Sequence, residues 1–354
     1  MKTLRITVSV LVIVLVLSLT ALVGVALASE QTKLALKDSL DLAFKNNGSV
    51  ILAQDAVEDA RLALEQARAN NLLKPSPVML HQAEAAYTNA QSSLNLAKLD
   101  LALEVEQQYY ELLKAEDMLK IANEALQLAQ EQLNVTMAKK EAGVAADLDV
   151  LKAKNQVSSA QANLGKAQRN RDVAVFTLNQ TIGLSVDTQL SLADQFSYEP
   201  VSVDLEEATK EALTNRVEIA QAQATVELAD LNVKLADNGY TPQLTLARNK
   251  LAANDAAVRL KQQQDKIVLA ARQAYVNLKE AESRITLTSQ KAQESKENLR
   301  ITQLLYNADM ATSLDVLTAQ NASTQAEIDA LEAIFDYNVA KAQFWRALGR
   351  GQAE

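Results

Sequence analysis

A tandem internal repeat constrains this chain more than any other feature of its sequence. A shift of 166 residues carries the segment 148–153, LDVLKA, onto 314–319, LDVLTA. The same shift matches four further positions: Tyr109, Leu112, Ala115 and Glu116 onto Tyr275, Leu278, Ala281 and Glu282. One offset without a gap over about 75 residues indicates an internal repeat. Each copy is predicted to be a pair of long helices around a short turn, at 141–147 and at 307–313.

Composition predicts an all-α fold built from long helices. The 354 residues include only eight Gly and four Pro, and aromatic residues make up 4%. Few helix breakers favour long helices or coiled coils, and few aromatic side chains disfavour a thick globular core. We therefore expect a thin bundle of long antiparallel coiled-coil helices rather than an enzyme with a deep pocket.

The first long helix is predicted from about Val78 to Ala142, a stretch without Gly or Pro. Large and small apolar residues alternate at spacings of three and four along it, as in a heptad seam. About 65 residues at 1.5 Å per residue make a rod of roughly 95 Å. Gly143 is expected to end this helix and Asp147 to cap the returning helix, which runs to about Thr181. An earlier helix is expected from about Leu36 to Asn71, with only a weak interruption at Gly48.

Four segments follow from these patterns. Residues 1–28 are predicted to be an export signal, because Lys2 and Arg5 precede an apolar run that ends in Ala26-Leu27-Ala28. The alternative is that the run of about 23 residues stays as a membrane anchor. Residues 29–183 form the first helical repeat, 184–203 an extended connector, and 204–354 the second helical repeat.

Several classes of function are disfavoured by the residues themselves. Without Lys2 and Arg5, 33 basic residues face 44 acidic ones, and the net charge of −11 disfavours nucleic acid as a partner. The chain has no cysteine, and His81 is its only histidine, so we expect no metal site, no cofactor and no enzymatic activity. The many carboxylates lie at helix-surface spacing, which indicates solvated faces rather than paired acid catalysts.

The two turns are the places where function is expected to concentrate. Asp147 and Asp149 lie at the start of the returning helix in the first copy, and Asp315 lies there in the second. One interpretation is that these carboxylates only compensate the helix dipole. The other is that several copies close into a tube, where the carboxylates form a ring that attracts cations.

The repeat and its turns resemble the TolC-type outer-membrane efflux duct family. The resemblance rests on 308–320, ADMATSLDVLTAQ, on the matching first copy at 142–151, on the opening AFKNN at 43–47, and on Leu348-Gly349. It implies a homotrimer whose chains close a long α-helical tunnel. It also implies two partners, a periplasmic adaptor (membrane fusion) protein and an inner-membrane transporter, and a place in the cell envelope associated with the outer membrane.

The resemblance also assigns expected roles to residues of the turns. Gly143, Val144, Asp309 and Met310 lie where the family contacts its adaptor, although Asp309 stands where a glycine is expected. Asp315 lies at a pore-facing aspartate of the family, and Asp147 and Asp149 are taken as further pore-lining residues. Thr318 lies where the family has a second pore aspartate, and Ala311 lies where it has a gating arginine.

One expected departure concerns the membrane strands of that family. Each half of a family member has two strands after its first helix, and a membrane-crossing strand needs roughly 9–11 residues. Here only Pro75 to Leu80 and Pro242 to Leu246 stand in those places. The sequence therefore predicts a TolC-like α-barrel protomer without a membrane β-barrel.

Two hypotheses of function follow. The first is an efflux duct component that passes substrates outward through an acid-lined tunnel, opened by sliding of the turn-bearing hairpins. The alternative is a periplasmic or cell-surface coiled-coil structural protein without transport, which a monomer or dimer in solution would favour. A coiled-coil adaptor fits less well, because adaptors flank one hairpin with β-rich domains.

Overall fold

The protein is a bundle of long helices in two halves, as a computed structural model of residues 32–351 shows. The elements are β1 (Thr32–Leu34), α1 (Leu36–Asn46), α2 (Gly48–Leu73), α3 (Pro77–Glu141), α4 (Asp147–Thr181), β2 (Leu190–Leu192), α5 (Leu205–Asn215), α6 (Val217–Ala236), α7 (Gln243–Asn307) and α8 (Ser313–Ala347). The predicted fold of long helices in two tandem repeats is confirmed. The predicted export signal lies outside the described residues.

The repeat is visible in the bounds of the helices. The hairpin α3–α4 and the hairpin α7–α8 begin and end at positions that differ by 166 residues. The shorter helices α1 and α5 differ by 169 residues at both ends, and so do the first residues of α2 and α6. The offset falls from 169 to 166 before α7, because α6 is six residues shorter than α2, with 20 against 26, and the link after it is three residues longer.

Residues 36–73 form two separate helices, α1 and α2, and the expectation of one weakly interrupted helix there is wrong. Asn47 has an extended backbone, with φ −73° and ψ 128°, and its Oδ1 accepts the N–H of Ser49 at 2.9 Å. This side chain caps α2 at a residue that Gly48 alone did not indicate. Arg216 makes the corresponding break between α5 and α6, with φ −70° and ψ 121°.

At each break a later helix ends against the start of an earlier one. Asn47 Nδ2 donates to the carbonyl oxygen of Thr181 at 3.1 Å, so the last turn of α4 meets the first turn of α2. Arg216 donates to the carbonyl oxygen of Ala347 at 3.3 Å, which joins α8 to α6 in the same way. These bonds satisfy carbonyl groups that have no partner inside their own helix.

The glycines after α4 and α8 allow this close approach. Gly183 has φ +74°, and a Cβ on it would lie 2.5 Å from Cβ of Asn46. Gly349 has φ +82°, and a Cβ there would lie 3.0 Å from the backbone carbon of Asn215. Both positions therefore need glycine for its backbone freedom and for its lack of a side chain.

End-to-end stacking arranges six of the described helices, all except α1 and α5, in four columns. The main helix contacts join the columns in the order α2 with α4, then α3, then α6 with α8, then α7. The 65-residue helices α3 and α7 are each unbroken over roughly 95 Å. The jointed column α2/α4 and the helix α7 are the two edges of the layer.

The largest buried clusters lie at the level of the joints. Tyr109 and Leu112 of α3 belong to the cluster in the first half, and Tyr337 and Phe344 of α8 belong to the cluster in the second. All four side chains are at most 1% exposed. Away from this level, small alanine side chains such as Ala129 and Ala160 fill the helix seams. The two turns therefore lie at the end of slender hairpins.

The connector between the repeats is bound to the helices at this level. Strand β2 pairs in parallel with β1, with Leu34 opposite Leu192. The hydroxyl of Tyr109 lies 2.7 Å from Oδ2 of Asp194, and burial raises the pKa of this tyrosine. The hydroxyl of Tyr337 donates to the carbonyl oxygen of Glu199 at 2.9 Å. Among residues 32–351, no helix is long and apolar enough to span a membrane.

Candidate functional site

The two turns have the same backbone geometry. The N–H of Val144 donates to the carbonyl of Lys139 at 2.8 Å, and that of Met310 donates to the carbonyl of Leu305 at 2.8 Å. Each bond closes the end of a helix through one residue with positive φ, which is Gly143 at +75° and Asp309 at +60°. Asp309 thus adopts a left-handed conformation that its glycine counterpart reaches without strain.

Each turn presents apolar side chains to solvent. Val144 is 62% exposed and its counterpart Met310 is 76% exposed. Leu148 and Leu314, one helical turn further on, are 58% and 54% exposed. Two apolar side chains thus lie at the outer end of each hairpin, and the predicted contact residues Val144 and Met310 are among them.

The carboxylates inside the turns hold the starts of the returning helices. Asp149 Oδ2 accepts the N–H of Ala146 at 3.2 Å. Asp315 Oδ2 accepts from the N–H of Thr312 at 2.8 Å and from its hydroxyl at 2.7 Å, which lowers the pKa of Asp315. The prediction that Asp147 caps α4 is wrong, because Asp149 at the third helical position bonds the free backbone N–H at the start of that helix.

Asp147 is instead paired across the first turn. Lys140 donates to Oδ1 of Asp147, and this hydrogen bond lowers the pKa of the carboxyl group. The side chain of Asp147 is still 85% exposed. Thr318 is exposed on α8 and donates its hydroxyl hydrogen to the carbonyl of Leu314 at 2.8 Å. The structure therefore places all the predicted turn residues at one end of the molecule, and Asp147 and Asp315 are ionised at neutral pH.

Lys139 joins the two hairpins at this end. Its Nζ lies 2.6 Å from Oδ1 of Asp309, donates to the carbonyl oxygen of Tyr306, and lies 4.0 Å from the centre of the Tyr306 ring. The hydroxyl of Tyr306 is 3.3 Å from Oγ1 of Thr136. Tyr306 is 5% exposed and Thr136 is fully buried. The first hairpin thus holds the second turn through Lys139.

Sequence reasoning missed Lys139, Tyr306 and Thr136. Their contacts join α3 to the end of α7, residues about 170 positions apart, and helix periodicity contains no information about such a pair. A weak signal was available at Asp309. An internal repeat that replaces a left-handed glycine by aspartate implies some compensating contact for that side chain.

The chain is similar to proteins of bacterial efflux systems. The sequence profile described as "Outer membrane efflux protein" matches residues 78–184, which comprise α3, the first turn and α4. A protein of Pseudomonas putida named "Probable efflux pump outer membrane protein TtgC" is 26% identical over 176 residues, which cover 48% of this chain and 35% of that protein. "Toxin and drug export protein A" of Aggregatibacter actinomycetemcomitans is 27% identical over 165 residues, or 46% and 36% of the two chains. The matches span about a third of these relatives.

Solved structures extend the likeness to most of the fold. The open state of the MtrE outer membrane channel of Neisseria gonorrhoeae aligns with a TM-score of 0.73 at 19% identity and covers 89% of each chain. A membrane protein of Pseudomonas aeruginosa aligns with a TM-score of 0.75 at 16% identity, over 89% of this chain and 90% of that one. At such low identity these matches establish the fold. The resemblance of this chain to the TolC-type outer-membrane efflux family is thus confirmed, in sequence over its first hairpin and in fold over most of its length.

Proposed function

We propose that this chain is a TolC-like efflux duct component. Three copies would close an α-helical tunnel that passes substrates outward across the cell envelope. The turn end would meet a periplasmic adaptor protein and, through it, an inner-membrane transporter. The names of the relatives, which refer to efflux and export, support this class of function.

The observation that carries the proposal is a second apolar stripe on the edge helix α7. One stripe is buried inside the chain and includes Ile267, Ala271 and Leu278. The other consists of exposed residues spaced by 7, 11, 7, 11 and 18 positions, which are Leu251, Val258, Leu269, Val276, Leu287 and Leu305. At 3.6 residues per turn these side chains lie within about 20° of one line along the helix.

The exposed stripe lies on the far side of α7 from the buried one. Leu269 is two positions from both Ile267 and Ala271, which places it about 160° from each around the helix. It is 68% exposed. A helix in a single layer needs two apolar faces, because it packs against a neighbour on each side. An edge helix with two such faces therefore indicates a further neighbour.

The opposite edge of the layer offers a complementary surface. Outward positions near the middle of α4 are small, such as Ser158 and Ala162, both exposed. Larger apolar side chains, Leu151 and Phe176, are 55% and 46% exposed nearer its ends. Small residues let a neighbouring helix approach closely. If α7 of one copy packs against the column α2/α4 of the next copy, the contact is head-to-tail. Such a contact generates a closed ring when the rotation between neighbouring copies divides a full turn evenly.

The turns supply the functional end of such a ring. Val144 and Met310 with their neighbouring leucines are the proposed adaptor contacts, together with Gly143 and Asp309. Asp147, Asp149 and Asp315 are the proposed acidic lining, and Thr318 lies beside them. The bond of Lys139 to Asp309 would have to break if the hairpins slide apart, so it is the proposed restraint on opening.

Light scattering of the purified full chain tests the proposal by giving the number of copies in the assembly, and negative-stain images show its shape. Three copies around a central hole, about 100 Å long, would support the duct. Planar-bilayer recordings of that assembly then test the lining. Asp315→Ala should lower the preference for cations over anions, and an unchanged preference would exclude the acidic ring. A monomer or a solid rod would instead support a structural coiled-coil protein.

A further inference from the structure

We propose that the cavity between α3, α4 and α8 binds a small, uncharged amphipathic molecule that carries a hydrogen-bond acceptor. The cavity has a volume of about 560 Å³, which lies within the range of pockets that hold drug-sized ligands. It lies on a face of the layer, so contacts between copies along the edges leave it open. Binding here needs neither a trimer nor transport, and the proposal is therefore independent of the duct.

The cavity is a groove whose floor is α3. This helix lies between the columns that contain α4 and α8, and all three helices line the cavity. The lining residues of α3 lie within 111–125, a length of about 21 Å. Gln156 Nε2 donates to Oδ1 of Asn321 at 2.9 Å and joins α4 to α8 across the groove. A helix lying along the groove would have to break this bond, whereas a compact ligand fits beside it.

An unpaired amide in the cavity wall points to a ligand. Gln320 of α8 lines the cavity and is 3% exposed. Its Nε2 is buried and has no hydrogen-bond partner among residues 32–351. A buried donor without a partner costs free energy, which an acceptor atom of a ligand would offset. Repeat symmetry does not explain this glutamine, because the residue 166 positions earlier is Lys154, which is exposed.

The rest of the wall suits a molecule with an apolar body and polar groups. Met118 and Ile121 of α3 and Ile328 of α8 are half-buried apolar lining residues. Asn163 and Asn170 of α4 also line the cavity, and their spacing of seven places them on one face of that helix. Carboxamides both donate and accept hydrogen bonds, so they match uncharged polar groups.

The charges of the wall cancel. Lys114 and Lys166 are its basic residues, and Glu111 and Glu332 are its acidic residues. Nζ of Lys114 already lies 2.6 Å from Oε2 of Glu111 and 3.8 Å from the centre of the Phe335 ring. The cavity thus has no excess charge with which to hold an anion or a cation. Because burying an unpaired charge is costly, it should select molecules without net charge.

A pair of probe molecules tests the hydrogen bond from Gln320. Prodan, a dimethylaminonaphthalene with a propionyl group, has an apolar body and a ketone acceptor, and dimethylaminonaphthalene lacks the ketone. In equilibrium dialysis with the full chain, Gln320→Leu should weaken binding of prodan by about tenfold and leave binding of dimethylaminonaphthalene unchanged. Gln290→Leu, an exposed change on α7 outside the cavity, is the matched control and should alter neither. Equal affinity of prodan for the parent chain and Gln320→Leu would overturn the proposal.

A blocking variant tests the location. Ala122→Phe places a ring in the cavity from its floor and should abolish binding of both probes. Ala322→Phe, an exposed change on α8 outside the cavity, should bind them as the parent chain does. Thermal unfolding checks the fold, and Gln320→Leu should not lower its midpoint, because that change removes an unpaired donor. If the parent chain binds neither probe, the cavity holds only water and the proposal is wrong. If Ala122→Phe still binds prodan, the site lies elsewhere and the proposal is equally wrong.

Discussion

The ammonium group of Lys139 lies 2.6 Å from Oδ1 of Asp309 and joins the tips of the two hairpins. The lysine is 17% exposed and the aspartate 64%, so one partner is largely withdrawn from water. The same lysine satisfies the carbonyl of Tyr306 near the C-terminal end of α7. Lys139 of the first repeat thus contacts the second turn both through Asp309 and through the backbone of Tyr306.

Replacing Lys139 with methionine should loosen the second turn while the hairpin stays folded. Loss of the partly exposed ion pair is worth up to about 1 kcal/mol, which corresponds to roughly fivefold faster amide hydrogen exchange at residues 308–312. Lys140→Met is the control, because its partner Asp147 lies in the first turn. Equal exchange at 308–312 in the parent chain and in Lys139→Met would show that the turn holds itself.

The glycines with positive φ should differ in their tolerance of alanine. Gly183→Ala places a Cβ 2.5 Å from Cβ of Asn46 and should lower the free energy of unfolding by about 2 kcal/mol or more. Gly143→Ala has the same backbone strain but nothing within 4 Å of its Cβ, so it should cost only about 1 kcal/mol. Denaturant unfolding of the two variants measures the difference. Equal losses would mean that the joint between α4 and α2 adapts to the added carbon.

The start of α8 should become less protected in acid through Asp315. Hydrogen bonds from Thr312 lower the pKa of this carboxyl group in the folded chain. Because the pKa of Asp315 is lower in the folded chain than its ordinary value of 3.8, the carboxylate contributes its full stabilisation above that value. The stabilisation is lost as the pH falls toward the pKa of the folded chain. Amide exchange in the first turn of α8 should therefore quicken, beyond its intrinsic pH dependence, below about pH 4.

Asp315→Asn provides the control for this acid effect, because an amide does not titrate there. In that variant the protection of the first turn of α8 should no longer change between pH 6 and pH 3. If the parent chain and Asp315→Asn lose protection over the same pH range, another group controls the start of the helix.

Charges on the exposed stripe of α7 should prevent assembly. Leu269→Glu with Leu287→Glu places two carboxylates where apolar side chains would be buried between copies. Each lost leucine contact is worth about 1.5–3 kcal/mol, so association should weaken by at least about 100-fold. Asn277→Glu is the control, because Asn277 is exposed but lies about 100° around the helix from Val276 and so outside the stripe. This variant should assemble as the parent chain does. Light scattering of the parent chain and the two variants measures the number of copies in each assembly. If the double variant assembles as the parent chain does, α7 is not the contact between copies.

Sequence reasoning predicted the long helices closely because their signals are local. Helix α3 begins at Pro77 where Val78 was expected, and α4 has the predicted bounds of 147 and 181. A seam of alternating large and small apolar residues and a run without Gly or Pro are sufficient for such elements. The same reasoning underestimated the break at Asn47, because the partner that stabilises it, Thr181, lies 134 residues further along the chain.

The turns were located from sequence, but their interactions were only partly predicted. Asp315 was expected at the start of α8 from its position after the turn, whereas Asp147 was predicted to be the cap of α4 and Asp149 makes that contact. The link of Lys139 to Asp309 depends on how two hairpins pack together. Repeat symmetry cannot indicate it either, because the position equivalent to Lys139 in the second copy is Leu305.

The joints at Asn47 and Arg216 also determine how the molecule can bend. Two columns are built from two rods that meet end to end, and they alternate with columns that are single rods. Each joint therefore lies beside a continuous helix that keeps the two stacked helices in line. Any flexing of the turn end must bend α3 and α7, whose unbroken hydrogen-bonded backbones resist it. The stiffness of the hairpins then comes from the continuous helix that lies beside each joint.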